Sequence, residues 1–115
     1  TQFEARPKAQ GITEGGVIVR FFLVEGIIRA AENMDDAIMK QHMAYTQKAM
    51  DQGSILISGL KADMGGGVFI IRTGTADQLE EYLDHEPFKL HGIQDYRWVE
   101  FTPHYVNPSA GTWME

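Results

Sequence analysis

The chain has 115 residues, 43% hydrophobic and 23% charged, the make-up of one ordinary globular domain and not of a disordered or low-complexity segment. A formal net charge of −6 and a pI near 5.1 argue against a nucleic-acid or membrane-surface partner, which would meet a basic face. Cysteine is absent, so disulfides, thiolate catalysis and cysteine-based metal sites are excluded.

The opening stretch "TQFEARPKAQGITEG" lacks periodicity and an apolar h-region, so residues 1–16 are expected to form an arm and not a signal peptide. No apolar run approaches the roughly 20 residues that span a bilayer, there is no internal repeat, and a cytoplasmic location is expected. From Val17 to Glu25, "VIVRFFLVE" is dense in β-branched and aromatic residues and reads as a strand apolar on both faces. After "GIIRAAE" a helix is expected, capped by Asn33, with Asp35 and Asp36 in its first turn and Gly53 as its stop.

"SILISGL" (Ser54 to Leu60) reads as the second strand, "KADMGGG" as a flexible hairpin connection, and "VFIIRTG" from Val68 as the third strand. "TADQ" (Thr75 to Gln78) matches a capping box; Leu79, Tyr82 and Leu83 make a short helical stripe, and Pro87 ends it. "DYRWVEFTP" supplies the fourth strand, and 104–115 remain as a tail after a domain expected over 17–103.

The order β-α-β-β-α-β is that of the α+β, ferredoxin-like fold with an antiparallel four-stranded sheet. Right-handed crossovers put both helices on one sheet face. Either Val19, Phe21 and Leu23 or Ile18, Phe22 and Val24 must then face away, and both sets are apolar. Something has to cover that face, most economically a second copy of the chain, so a homodimer closed into an α+β barrel is expected. The tail, with Tyr105 and Trp113, is placed to wrap the partner.

Among residues able to do chemistry, His42 stands out. Met34, Ile38, His42, Tyr45 and Ala49 recur at spacings of four, four, three and four, and Met39, Met43, Thr46 and Met50 widen that face. An imidazole at the margin of an apolar face needs a partner, since leaving it unpaired costs about 1–3 kcal/mol. Two readings stay open: a core histidine bonded to a backbone carbonyl or a tyrosine, or one paired with a carboxylate for proton transfer. "LDHEPFKLHGI" supplies the carboxylates, Asp84 and Glu86.

His85, His91 and His104 fall at a helix stop, in a loop and in the tail, where solvated histidines are usual. A metal site from His42, His85, Glu86 and His91 matches no zinc spacing, and none is expected. "MGGG" lacks both the GxGxxG order and a GK[ST] ending, so it is not a phosphate loop. Arg20 and Arg72 come towards one sheet end, either to bind an anionic substrate or simply as solvated strand-end residues.

"HMAYTQKAMDQGSILISGL" with "GGGVFIIRTGTADQLEEYLDHEPFKLHGIQDYRWVEFTP" resembles the YCII-related family of small dimeric α+β barrel proteins, from about Val17 to Pro103. The resemblance lies in the order of a helix-one histidine, a Ser-Gly second strand, a glycine-rich hairpin and an acid-Pro-Phe turn. It implies sheet-to-sheet dimers with a His–Asp pair in a pocket. The family histidine corresponds to His42, and Glu86-Pro87-Phe88 stands where Asp-Pro-Phe is usual, with Asp84 as a second candidate.

Members are similar to lyases that eliminate chloride from chlorinated hydroxyquinols, and the wider superfamily includes muconolactone isomerases and monooxygenases. The resemblance therefore implies a lyase or isomerase acting on a small cyclic or aromatic-derived substrate without metal or other cofactor. His42 would transfer the proton, Glu86 would orient it, and Phe88 would line an apolar wall. Asp84, Arg20 and Arg72 complete the candidate substrate contacts. The alternative is a non-catalytic small-ligand binding or accessory protein with the same barrel.

Overall fold

The computed structural model describes residues 12–14 and 17–110. Its strands are β1 (Ile12–Glu14), β2 (Val17–Ile28), β3 (Ile55–Leu60), β4 (Gly67–Thr73) and β5 (Gln94–Phe101). Its helices are α1 (Asp36–Asp51), α2 (Ala76–Asp84) and α3 (Pro87–Leu90). All strand pairs are antiparallel: β4 and β5 flank β2, β3 lies outside β4, and β1 pairs with the first residues of β2. β2-α1-β3-β4-α2-β5 is the expected ferredoxin-like order, with β1 and α3 added to it.

The period-2 alternation of β2 decides which side is core. Phe22 and Val24 are fully buried and pair across the sheet with Ile71 and Phe69 of β4. With Ile55 they meet Ala49 of α1 and Leu79 and Leu83 of α2 in one cluster. Trp98 of β5 closes the side of this core, its ring edge-on to Phe22 at 5.2 Å. Each fully buried aliphatic or aromatic side chain there contributes roughly 1.5–3 kcal/mol. Phe21 and Leu23 therefore belong to the other face, opposite Phe101, Val99 and Ile70.

Several boundaries differ from the sequence reading, each for a local reason. Asn33 lies in a short 3₁₀ turn, Ala31–Asn33, and Met34 is extended. The cap of α1 is Asp35, whose carboxylate accepts from the Ile38 N–H at 2.8 Å. β2 continues to Ile28 because Gly26, Ile27 and Ile28 find partners in Tyr96, Asp95 and Gln94. Pro87 begins α3 as well as following α2, since its fixed φ suits a first helical position. Gly53 stops α1 as expected, at φ +79 just past the cap. The Thr75 capping box is complete, with Thr75 and Gln78 each bonded to the other's backbone.

Helix α1 packs on α3 and β3; Ala49 is its buried residue, and Met39 and Met43 are exposed. Of the arm, 12–14 are described, as β1; of the tail, 104–110 are described, and Trp113 lies outside the described residues.

Candidate active site

Pro87 builds the site. The residue before a proline is pushed out of the α region, and Glu86 is extended at φ −68, ψ 130. Its side chain turns back over α3 and accepts the Phe88 N–H at 3.0 Å through Oε1. Oε2 meets His42 Nδ1, so the carboxylate of one helix cap bonds the imidazole of another helix. Phe88 lies flat on the His42 ring, centroids 3.8 Å apart and planes within 2°. Glu86 is 2% exposed, whereas the His42 side chain keeps 26% of its surface. The carboxylate is sealed behind a ring that remains reachable.

A second row backs this pair. Tyr96 Oη donates to Glu86 Oε1 at 2.6 Å, and Gln94 Nε2 donates to Tyr96 Oη at 2.8 Å. Gln94 Oε1 accepts from the Gly67 N–H at 3.1 Å. Burial and the neighbouring Glu86 charge push the Tyr96 phenol well above its ordinary range, so it is a neutral donor. Tyr82 and Tyr45 are also raised, burial first, and Tyr45 donates to the Tyr82 carbonyl at 2.7 Å.

His42, Glu86, Tyr96 and Gln94 border a cavity of about 190 Å³, whose walls include Phe69, Leu60, Ser58 and Thr46. That is below the roughly 300–1,000 Å³ of drug-sized ligand pockets, so it suits about one ring. No lysine or arginine is among its lining residues.

The structure brings His42, Glu86 and Phe88 together and leaves the other candidates elsewhere. Asp84 is exposed and bonded to Lys89 at 3.0 Å, on the outside of α2. Arg20 grips Glu100 through Nε and Nη2, at 2.8 and 2.7 Å, and this guanidinium holds the Glu100 carboxyl below its usual range. Arg72 donates to the Gly53 carbonyl at 3.1 Å. The two arginines do sit at one sheet end, but alternation separates them: Arg20 shares the core-side face with Glu100, and Arg72 lies opposite Phe21 on the other. His85 binds the Glu81 carbonyl at a helix end, and His91 and His104 are exposed. Among the described residues no three His, Asp or Glu side chains gather as metal ligands.

Neither Tyr96 nor Gln94 is among the candidate site residues read from the sequence, in which the last strand begins at Asp95. The signal available is the alternation of "QDYRWVEF", which places Gln94, Tyr96, Trp98 and Glu100 on one face. A buried glutamine starting that row is a polar group in need of partners.

The family model of the YCII-related domain matches residues 19–102. The chain belongs to the YCII-related family. No curated protein matches it. Among solved structures, this YCII-related chain is similar to 5-chloro-2-hydroxyhydroquinone dehydrochlorinase (TftG) from Burkholderia phenoliruptrix AC1100, in complex with 2,5-dihydroxybenzoquinone. That likeness has TM-score 0.55 and 17% identity, covers 70% of this chain and 92% of the other, and shows a shared fold. A weaker one, to a mutant of SnoaB, a cofactor-independent oxygenase from Streptomyces nogalater, has TM-score 0.43 and 16% identity over 78% of this chain and 97% of that one. Among the described residues no helix is long and apolar enough to cross a membrane.

Proposed function

We propose that this YCII-related protein is a cofactor-independent enzyme of lyase or isomerase type acting on a small cyclic or aromatic-derived substrate. The observation that carries the reading is the buried Glu86 carboxylate bonded to Nδ1 of a partly exposed His42 at the wall of a one-ring cavity. With Nδ1 held by Glu86, Nε2 is the nitrogen left for a substrate. It takes a proton from a ring hydroxyl or acidic carbon, and Glu86 stabilises the imidazolium that forms. The proton then returns at another position, giving isomerisation, or the electron pair expels a leaving group, giving elimination. Phe88 holds the imidazole plane by stacking. The dehydrochlorinase that shares the fold acts on a single hydroxylated ring, which fits the cavity size. The working unit is proposed as a homodimer paired through the uncovered sheet face.

The test is turnover with chlorinated hydroxyhydroquinones, followed by chloride release, and with small unsaturated lactones, followed by absorbance. His42→Gln is expected to lower kcat by roughly 10²–10⁴-fold in a folded protein. Retention of most of the wild-type turnover would remove His42 from the chemistry. Ligand binding without turnover on either class would favour the non-catalytic reading.

A further inference from the structure

Three hydrogen bonds run in one direction from the β3–β4 hairpin to Glu86, a fourth reaches Glu86 from His42, and their polarity can be deduced bond by bond. The Gly67 backbone N–H is only a donor, so the Gln94 group facing it at 3.1 Å is the carbonyl Oε1. The amide Nε2 of Gln94 then faces Tyr96 Oη at 2.8 Å and donates to it. The single phenolic proton of Tyr96 therefore goes to Glu86 Oε1, at 2.6 Å. With Oε1 receiving this proton and the Phe88 N–H, Oε2 is left to accept from His42 Nδ1. The terminal donor is a backbone amide, which cannot reverse.

The packing is committed to this arrangement. A Cβ on Gly26 would stand 2.4 Å from Gln94 Oε1 and 2.5 Å from its Cδ. One on Gly66 would stand 3.0 Å from the same Oε1 and 2.1 Å from the Gly26 carbonyl oxygen. Gln94 is 3% exposed, and the end of its side chain lies against both glycines.

We infer that Gln94 and Tyr96 are positioning residues, which hold the neutral His42 ring as the Nδ1–H tautomer and so leave Nε2 unprotonated as the base. The inference builds on the proposed role of His42 but concerns the ring's proton, which can be read without any substrate. The orientation is inherited from Gly67 through side chains that need not touch the reacting atoms.

The experiment is ¹⁵N NMR of the His42 ring, in the unliganded full chain at a pH where the ring is neutral. Wild type is expected to show Nδ1 protonated and Nε2 bare. Tyr96→Phe removes one oxygen, leaving Glu86 Oε1 without the phenol and Gln94 Nε2 without its acceptor. The ring signals should then move towards a mixture with the Nε2–H form, and kcat should fall about tenfold or more while KM changes less than about twofold. Gln94→Glu keeps the shape and the bond from Gly67 but replaces a donor by an acceptor, and should move the signals the same way. If it does not fold, Tyr96→Phe alone decides. An unchanged Nδ1–H signature in Tyr96→Phe, or a wild-type ring already carrying its proton on Nε2, overturns the inference. Neither depends on turnover, so failure of His42→Gln to abolish activity would sink the proposed reaction and leave this result standing.

Discussion

Glutamate is one methylene longer than aspartate, and at position 86 that length is used. From an extended residue ahead of Pro87 the carboxylate both caps α3, through Oε1, and reaches His42 Nδ1, through Oε2. A buried carboxylate is tolerable only when its oxygens are satisfied, and here Tyr96, Phe88 and His42 together do so. Glu25 shows the opposite regime, partly exposed between Arg97 at 2.6 Å and Lys61 at 2.8 Å, which hold its carboxyl down at about 2. Its folded-state value lies below the ordinary 4.5, so the stabilisation is complete above that pH and fades as pH falls from about 4.5 to about 2. Glu25→Gln should accordingly be less stable than wild type at neutral pH. The gap should close through that window and vanish below it, as measured by urea denaturation at a series of pH values. A gap independent of pH would show that the ion pairs contribute nothing.

Among the elements, the hairpin between β3 and β4 does more than reverse the chain. Ile28 N–H donates to the Gly65 carbonyl at 2.9 Å, and Gly66 packs against Gly26, so the hairpin docks on the extended end of β2. The two glycines differ in what blocks a side chain. At Gly26 the obstacle is the end of Gln94; at Gly66 it is a backbone carbonyl at 2.1 Å, and the φ of +149 is itself unfavourable for other residues. Gly26→Ala should cost about 1–3 kcal/mol, as overpacking with displacement of Gln94. Gly66→Ala should cost more, because neither strain nor clash can be relieved by a rotamer. Urea midpoints of the two variants test the order, and equal losses would show that the hairpin yields as a body.

On the scale of the whole molecule, the sheet face away from the helices carries Leu23, Ile57, Val99 and Phe101, each between 36% and 62% exposed. Phe21 and Ile70 lie between them. A contiguous apolar surface of this kind on a small chain marks an interaction site, and the ion pairs of Glu25 with Lys61 and Arg97 stand beside it as a polar rim. The proposed homodimer buries this face against its own copy. Sedimentation at micromolar concentration should give twice 12.9 kDa, and Leu23→Lys should shift the protein to monomer or to aggregate. A well-folded wild-type monomer would mean that the face is covered in some other way.

What the sequence by itself determined was whatever depends on neighbours along the chain. The β-branched and aromatic density of "VIVRFFLVE", the capping box at Thr75 and the stop at Gly53 are local, and each has its counterpart in β2, α2 and the end of α1. Local spacing also put His42 at the edge of an apolar face and named Glu86 beside Pro87, although it could not choose between Glu86 and Asp84. Tertiary structure made that choice, because α3 lies on α1 and carries Glu86 inward while Asp84 points out to Lys89. It likewise decided which face of β2 is core, through the register with Ile71 and Phe69, and sent Arg20 and Arg72 to opposite faces. The row from Gly67 to His42 joins β4, β5, α3 and α1, and the bonds at its two ends span 27 and 44 residues of sequence. Hydrogen bonds across such separations leave no periodic trace, so only the folded chain could reveal them.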